Sequence, residues 1–229
     1  MNTLILNKEI SEKMLSFFKK EYKIILTKEI KSISTPLKFH PDIQIAQIDD
    51  DTFVCEPTVF EYYKSVLKDK NIIMGETYLQ SNYPRDIAYN IIRVGNKCLC
   101  NLKYTDKKIL ENINCKMINI NQGYAKCSIC QVDDNSVITS DDGIEKVCKE
   151  NRIDVLKIEK SQIELKPYDY GFIGGASLKL NKDEILFFGD ITKHSDYHNI
   201  KEFCDKKNIK IKYFDFENLI DFGSGFSIY

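Results

Sequence analysis

GYAKCSICQVDDNSVITSDDGIEKVCKENRIDVLKI, residues 123–158, is the stretch on which the fold assignment turns. Branched and apolar residues from Tyr124 to Val132 predict a strand. Asp133-Asp134-Asn135 supplies a hairpin turn and Ser136 to Thr139 the returning strand. Asp142 to Glu150 has helical periodicity behind a Thr139-Ser140-Asp141 capping stretch, and Ile153 to Ile158 closes the unit as a strand. The unit is a ββαβ module.

The same order recurs along the chain. Downstream it runs through Phe172 to Leu180, the Asn181-Lys182-Asp183 turn, Ile185 to Phe188, a helix from about Asp196 to Lys207, and Ile209 to Phe214. Upstream it runs through Ile87 to Val94, Gly95-Asn96, Lys97 to Asn101, a helix opened by Thr105-Asp106, and Cys115 to Ile120. A further copy takes in Ile43 to Ile48, Thr52 to Cys55, Pro57 to Lys68 and Asn71 to Met74. A period of roughly 40 to 45 residues is that of an array or a propeller. The N-terminus holds only part of a copy: strand Leu4 to Leu6, helix Lys8 to Glu21, strand Lys23 to Leu26. The missing strand is expected from the other end of the chain, where Gly223-Ser224-Gly225 leads into Phe226 to Tyr229. A ring closed this way leaves no unpaired edge between first and last modules. An open α/β sheet is the alternative reading.

The 229 residues, 43% hydrophobic and 29% charged, suffice for a packed core. A net charge of -1 gives no basic surplus for phosphate binding, so nucleic acid is not an expected partner. No apolar run reaches the ~20 residues of a membrane span, and the N-terminus lacks a signal-peptide pattern, so a cytoplasmic protein without a membrane role is expected. Several of the eight cysteines lie within strand patterns and read as buried small hydrophobes. In the CxxC of Cys127 and Cys130, a strand would point the two thiols to opposite faces, which argues against a thioredoxin-type motif. His194 and His198 stand four apart with no third ligand in register, and His40 reads as a surface or hydrogen-bonded residue, so neither a metal nor a cofactor is expected. Thr27 to Phe39 reads as a loop able to lie over a cavity, and Gly171 to Gly175 as a place of close backbone approach.

Asp86 follows Pro84-Arg85 at the mouth of a predicted strand, where a carboxylate is either half of a surface pair with Arg85 or a partner for a guanidinium or amidine. On these residues the chain resembles the pentein superfamily, the five-bladed β/α propellers of guanidine-modifying enzymes, and more narrowly an uncharacterised bacterial group of proteins with that fold. Ser81 to Ile87, SNYPRDI, is similar to the family stretch that carries a substrate-gripping aspartate. Gly223 to Tyr229, GSGFSIY, is similar to the glycine-rich strand that delivers the nucleophilic cysteine. The resemblance implies an α/β fold of ββαβ modules with pseudo-fivefold symmetry, formed by residues 1–229 as one domain.

The departures from the family are chemical. Ser227 matches the cysteine position, and Gly123 to Lys126 matches the Gly-His-x-Asp stretch, so the resemblance implies that the thiolate and histidine of the deiminases are missing. Two functions follow. The first is a pseudoenzyme that binds a small cationic ligand at Asp86, Arg85, Tyr124, Lys126 and Ser227, or a protein partner over the ring, as the family's ribosome anti-association factor permits. The second is a divergent guanidino-group hydrolase or amidinotransferase whose nucleophile has moved to Cys127. A purely structural role would require a filled ring axis.

Overall fold

The computed structural model describes residues 2–160 and 162–229. The strands are β1 (Thr3–Leu6), β2 (Lys23–Leu26), β3 (Ile45–Gln47), β4 (Thr52–Cys55), β5 (Asn71–Met74), β6 (Ile92–Val94), β7 (Lys97–Cys100) and β8 (Lys116–Asn119), followed by β9 (Ile129–Gln131), β10 (Ser136–Thr139), β11 (Asp154–Lys157), β12 (Ser177–Asn181), β13 (Glu184–Phe187), β14 (Lys210–Tyr213) and β15 (Phe226–Ile228). They form five three-stranded sheets. In β3-β4-β5, β6-β7-β8, β9-β10-β11 and β12-β13-β14 the first pair is antiparallel and the second parallel, joined by a crossover containing a helix. The remaining sheet has the order β15-β1-β2, with Leu4 opposite Ser227 and Ile5 opposite Phe226, so the C-terminal segment supplies the strand that the first module lacks.

The helices are α1 (Glu12–Phe18), α2 (Pro41–Gln44), α3 (Phe60–Val66), α4 (Lys107–Asn112), α5 (Ala125–Ser128), α6 (Asp142–Glu150) and α7 (Tyr197–Lys206). Ser11, Asp106 and Asp141 cap α1, α4 and α6 by accepting from backbone N–H groups that the first helical turn leaves free. Ile144 and Cys148 of α6, and Ile200 and Cys204 of α7, fall at helical spacing and are the buried residues of those helices.

Apolar side chains join each sheet to its neighbours. Ile5 and Phe226 pack in one cluster with Ile45, Phe53, Cys98 and Cys100. Ile92 and Leu99 pack with Ile129 and Val137, and Cys130 and Ile138 with Ile185 and Phe187. Leu178 and Leu186 pack with Leu4 and Leu6. All cysteines are free, and all but Cys115 are buried, as the sequence expects. Among the described residues no helix is long and apolar enough to cross a membrane.

The first strand of each module is shorter than periodicity predicts. The predicted strands 43–48 and 124–132 each begin with a helical turn, α2 and α5, and of 87–94 and 172–180 only Ile92–Val94 and the part from Ser177 onward are strand. Pro41 opens α2 with its preset φ, and Ser128 donates to the Tyr124 carbonyl in α5. These turns aim buried polar side chains that a continuous strand would have sent to alternating faces.

Candidate functional site

The segments that precede β3, β6, β9, β12 and β15 are tied to one another in a closed cycle of hydrogen bonds. Asp42 N–H donates to the Gly223 carbonyl, and Asn90 Nδ2 to the Asp42 carbonyl. Lys126 N–H donates to Asn90 Oδ1, Gly175 N–H to the Cys127 carbonyl, and Ser224 N–H to the Gly175 carbonyl. Close approach is possible because Gly174 has no side chain: a Cβ there would lie 2.2 Å from the Lys126 carbonyl and 2.6 Å from that of Cys127. The glycine-rich stretch therefore serves backbone contact, as its sequence context suggests.

One step along each first strand, a second set of equivalent positions is polar. Gln47, Arg93, Gln131, Lys179 and Ser227 are paired respectively with Phe53, Cys98, Val137, Ile185 and Leu4, the second residue of each middle strand. All five line one cavity of about 550 Å³, together with Lys126 and, among its other lining residues, Asp50, Asp51 and Asp134. Three of the lining cations, Arg93, Lys126 and Lys179, come from strands or turns of different sheets. Lys179 Nζ donates to the Val132 carbonyl, and Ser227 Oγ to the Leu180 carbonyl at 2.8 Å. Lys126 Nζ lies 4.8 Å from the centre of the Phe226 ring, and burial holds its pKa below the ordinary lysine value.

Asp86 is buried, and its Oδ2 accepts from Tyr124 Oη at 2.5 Å, while its Oδ1 has no partner. Burial raises its pKa, and the tyrosine bond opposes the shift. The ring of Tyr124 stands 5.7 Å from that of Tyr83 and 6.2 Å from that of Phe172, and Tyr83 is 53% exposed. Arg85 is exposed and donates to Gln80 Oε1, so it does not pair with its neighbour Asp86. Of the predicted ligand residues, Asp86 and Tyr124 are thus in direct contact, Lys126 and Ser227 share the large cavity, and Arg85 faces away on the surface.

Cys127 lies on the turn α5 and not on a strand, because the chain coils once before β9 begins. Its Sγ donates to Asp42 Oδ2 at 2.8 Å and accepts from Asn90 Nδ2 at 3.3 Å. Burial and the two nearby carboxylates, Asp42 and Asp221, hold the thiol well above the ordinary cysteine range. Of the surface and hydrogen-bonded positions expected for His40, the first does not hold: it is 2% exposed, and burial pushes its pKa down to about 3. The Gly223 backbone packs against its ring, which closes it in. Burial, and then the proximity of Asp221, raise the pKa of Asp42. Among the described residues, His40, Asp42 and Cys127 form a group whose ligand atoms all lie within 4.8 Å, whereas His194 is buried and His198 exposed. Sequence reasoning passed over Asp42, Asn90 and Asp221. Their shared position, just before the first strand of a module, is the signal that would have found them.

Comparison with known proteins places these features in a recognised fold. An amidinotransferase of saxitoxin biosynthesis from Microseira wollei superposes with a TM-score of 0.58 at 10% identity, covering 95% of this chain and 78% of that one. Agmatine deiminase of C. jejuni gives 0.55 at 12% identity, with 96% and 80% covered. The Pseudomonas aeruginosa protein DDAH, as a C249S mutant with citrulline, gives 0.56 at 8% identity, with 94% and 92% covered. These are pentein superfamily members, and at such identities the likeness is one of fold. No curated protein matches the chain by sequence. A family model does match it, over residues 5–226, and the chain belongs to that family, described as "Family of unknown function (DUF6873)".

Proposed function

We propose that the five sheets stand as blades round one axis and that the protein is a non-hydrolysing pentein that binds a small guanidinium or amine at Asp86. The observation that carries this reading is Asp86 Oδ1, a buried carboxylate oxygen with no donor, beside the rings of Tyr83, Tyr124 and Phe172. A planar cation meets such a site with a charge-assisted hydrogen bond and with the faces of the aromatic rings. Tyr83, the exposed member of the stack, is the side chain that moves to admit it. The open cavity speaks against a purely structural role, which needs a filled axis. Cys127 as a relocated nucleophile is the weaker reading, since a buried thiol held above its ordinary pKa supplies little thiolate.

Thermal shift and calorimetry with agmatine, arginine and methylarginines test the proposal. At least one is expected to raise the melting midpoint by binding the native state, and Asp86→Asn to weaken that ligand by roughly 1.5 to 3 kcal/mol, about ten- to a hundredfold. Binding that survives Asp86→Asn unchanged, or no binding of any of these cations, overturns it.

A further inference from the structure

The cation site leaves unexplained a set of donor atoms on the hydrogen-bonded cycle. A ring nitrogen of His40, a carboxylate oxygen of Asp42 and Cys127 Sγ lie within 4.8 Å of one another, and all three residues are buried. Two atoms of these residues, His40 Nδ1 and Asp42 Oδ1, have no hydrogen-bond partner. Asp221 Oδ1 stands 4.0 Å from His40 Nδ1 and is itself held by the Gly223 N–H. A buried polar atom left unpaired is destabilising, and two carboxylates beside each other away from water more so. Packing alone would have placed apolar or paired groups here. A cation that accepts lone pairs from nitrogen, oxygen and sulfur satisfies every one of these atoms together.

We propose that His40 Nδ1, Asp42 and the Cys127 thiolate bind one divalent transition-metal ion, Zn2+ by the character of the donors. A thiolate and an imidazole exclude the hard cations Mg2+ and Ca2+, which take oxygen ligands. Three protein ligands leave a fourth position of the tetrahedron that Zn2+ prefers. Thiolate and carboxylate together neutralise the ion. Binding forms the metal–sulfur bond and releases the Cys127 proton, now directed at Asp42 Oδ2, to solvent. A smaller cavity of about 220 Å³, lined by His40, Asp221, Asn7, Glu9 and Glu164, gives a route of access with carboxylates along it.

The test uses the full chain, reduced and stripped with a chelator, then titrated with Co2+ as a spectroscopic substitute and with Zn2+ against a chromophoric chelator. About one ion per chain is expected, with a sulfur-to-cobalt charge-transfer band and four-coordinate ligand-field bands. Cys127→Ser should abolish the charge-transfer band, and His40→Gln should weaken binding at least ~10-fold. His198→Gln and Asp86→Asn should bind as the parent does, which separates this site from surface histidines and from the cation site. Absence of stoichiometric binding by the parent chain overturns the proposal whatever the variants do. So does a charge-transfer band that persists in folded Cys127→Ser, or loss of binding in His198→Gln alone.

Discussion

Tyr124 Oη donates to Asp86 Oδ2 at 2.5 Å, linking the turn before β9 to the segment before β6. The other oxygen of that carboxylate is already without a partner, so the tyrosine is the one side chain that satisfies it. Tyr124→Phe keeps the ring stack with Tyr83 and Phe172 and removes only the donor. A loss of about 1 to 3 kcal/mol is expected from denaturant unfolding, the penalty of an unsatisfied buried acceptor. An unchanged midpoint would show that water satisfies Asp86 equally well.

The strand β15 is short but seals the first sheet. Phe226 is buried, packs edge-on against Phe53 at 6.3 Å, and lies beneath the Lys126 ammonium. Phe226→Ala should cost about 3 to 5 kcal/mol in urea unfolding. Removal of residues 223–229 should cost more, since it also exposes the edge of β1 and takes away the Gly223 and Ser224 links of the cycle. A truncated chain that melts with the parent would contradict the closing role of this strand.

Incubation with arginine or agmatine should yield neither ammonia nor a citrulline-type product. The Ser227 hydroxyl is engaged with the Leu180 carbonyl, and no base is among its hydrogen-bond partners. Ammonia release lost in Ser227→Ala would restore serine chemistry. Release lost in Cys127→Ser would instead support the relocated nucleophile.

Gly174→Ala is expected to prevent folding or to destabilise the protein severely. Its methyl would fall 2.2 to 2.6 Å from three backbone carbonyl oxygens, those of Lys126, Cys127 and Ile129, and backbone cannot move aside as a flexible side chain can. Gly143→Ala is the control, because its nearest neighbour is one Asp141 oxygen at 3.1 Å. Comparable melting midpoints for the two variants would contradict this reading.

His40 and Asp42 should pull the pH dependence of stability in opposite directions. His40 stays neutral in the fold, with a pKa of about 3 against 6.5 unfolded, so its contribution is lost as pH falls below about 6.5. Asp42 has a pKa raised from 3.8 to about 8, so its contribution is present at acid pH and lost as pH rises toward 8. Asp221, raised to about 6, acts in the same sense as Asp42. With chelator present, Asp42→Asn should therefore lose stability more steeply than the parent on acidification. His40→Gln should lose it more steeply on going alkaline. Parallel profiles for the three proteins would show that neither group titrates differently in the fold.

The sequence by itself determined the modules, the turns between strands, the helix caps and the origin of the missing strand. These follow from local periodicity and from the chemistry of Asp, Asn, Ser and Gly at chain reversals, which act over a few residues and can be read from a few residues. Asp106 and Asp141 cap helices whether or not the rest of the chain is in view. Tertiary structure decided where the polar side chains go. The turns α2 and α5 precede β3 and β9, and one residue of difference there reverses the face to which a side chain points. That is why Cys127 meets Asp42 and Asn90 instead of alternating along a strand with Cys130, and why Arg85 and Asp86 part company although they are adjacent. The meeting of His40, Asp42 and Cys127 joins residues 85 positions apart through contacts that only the packed sheets create.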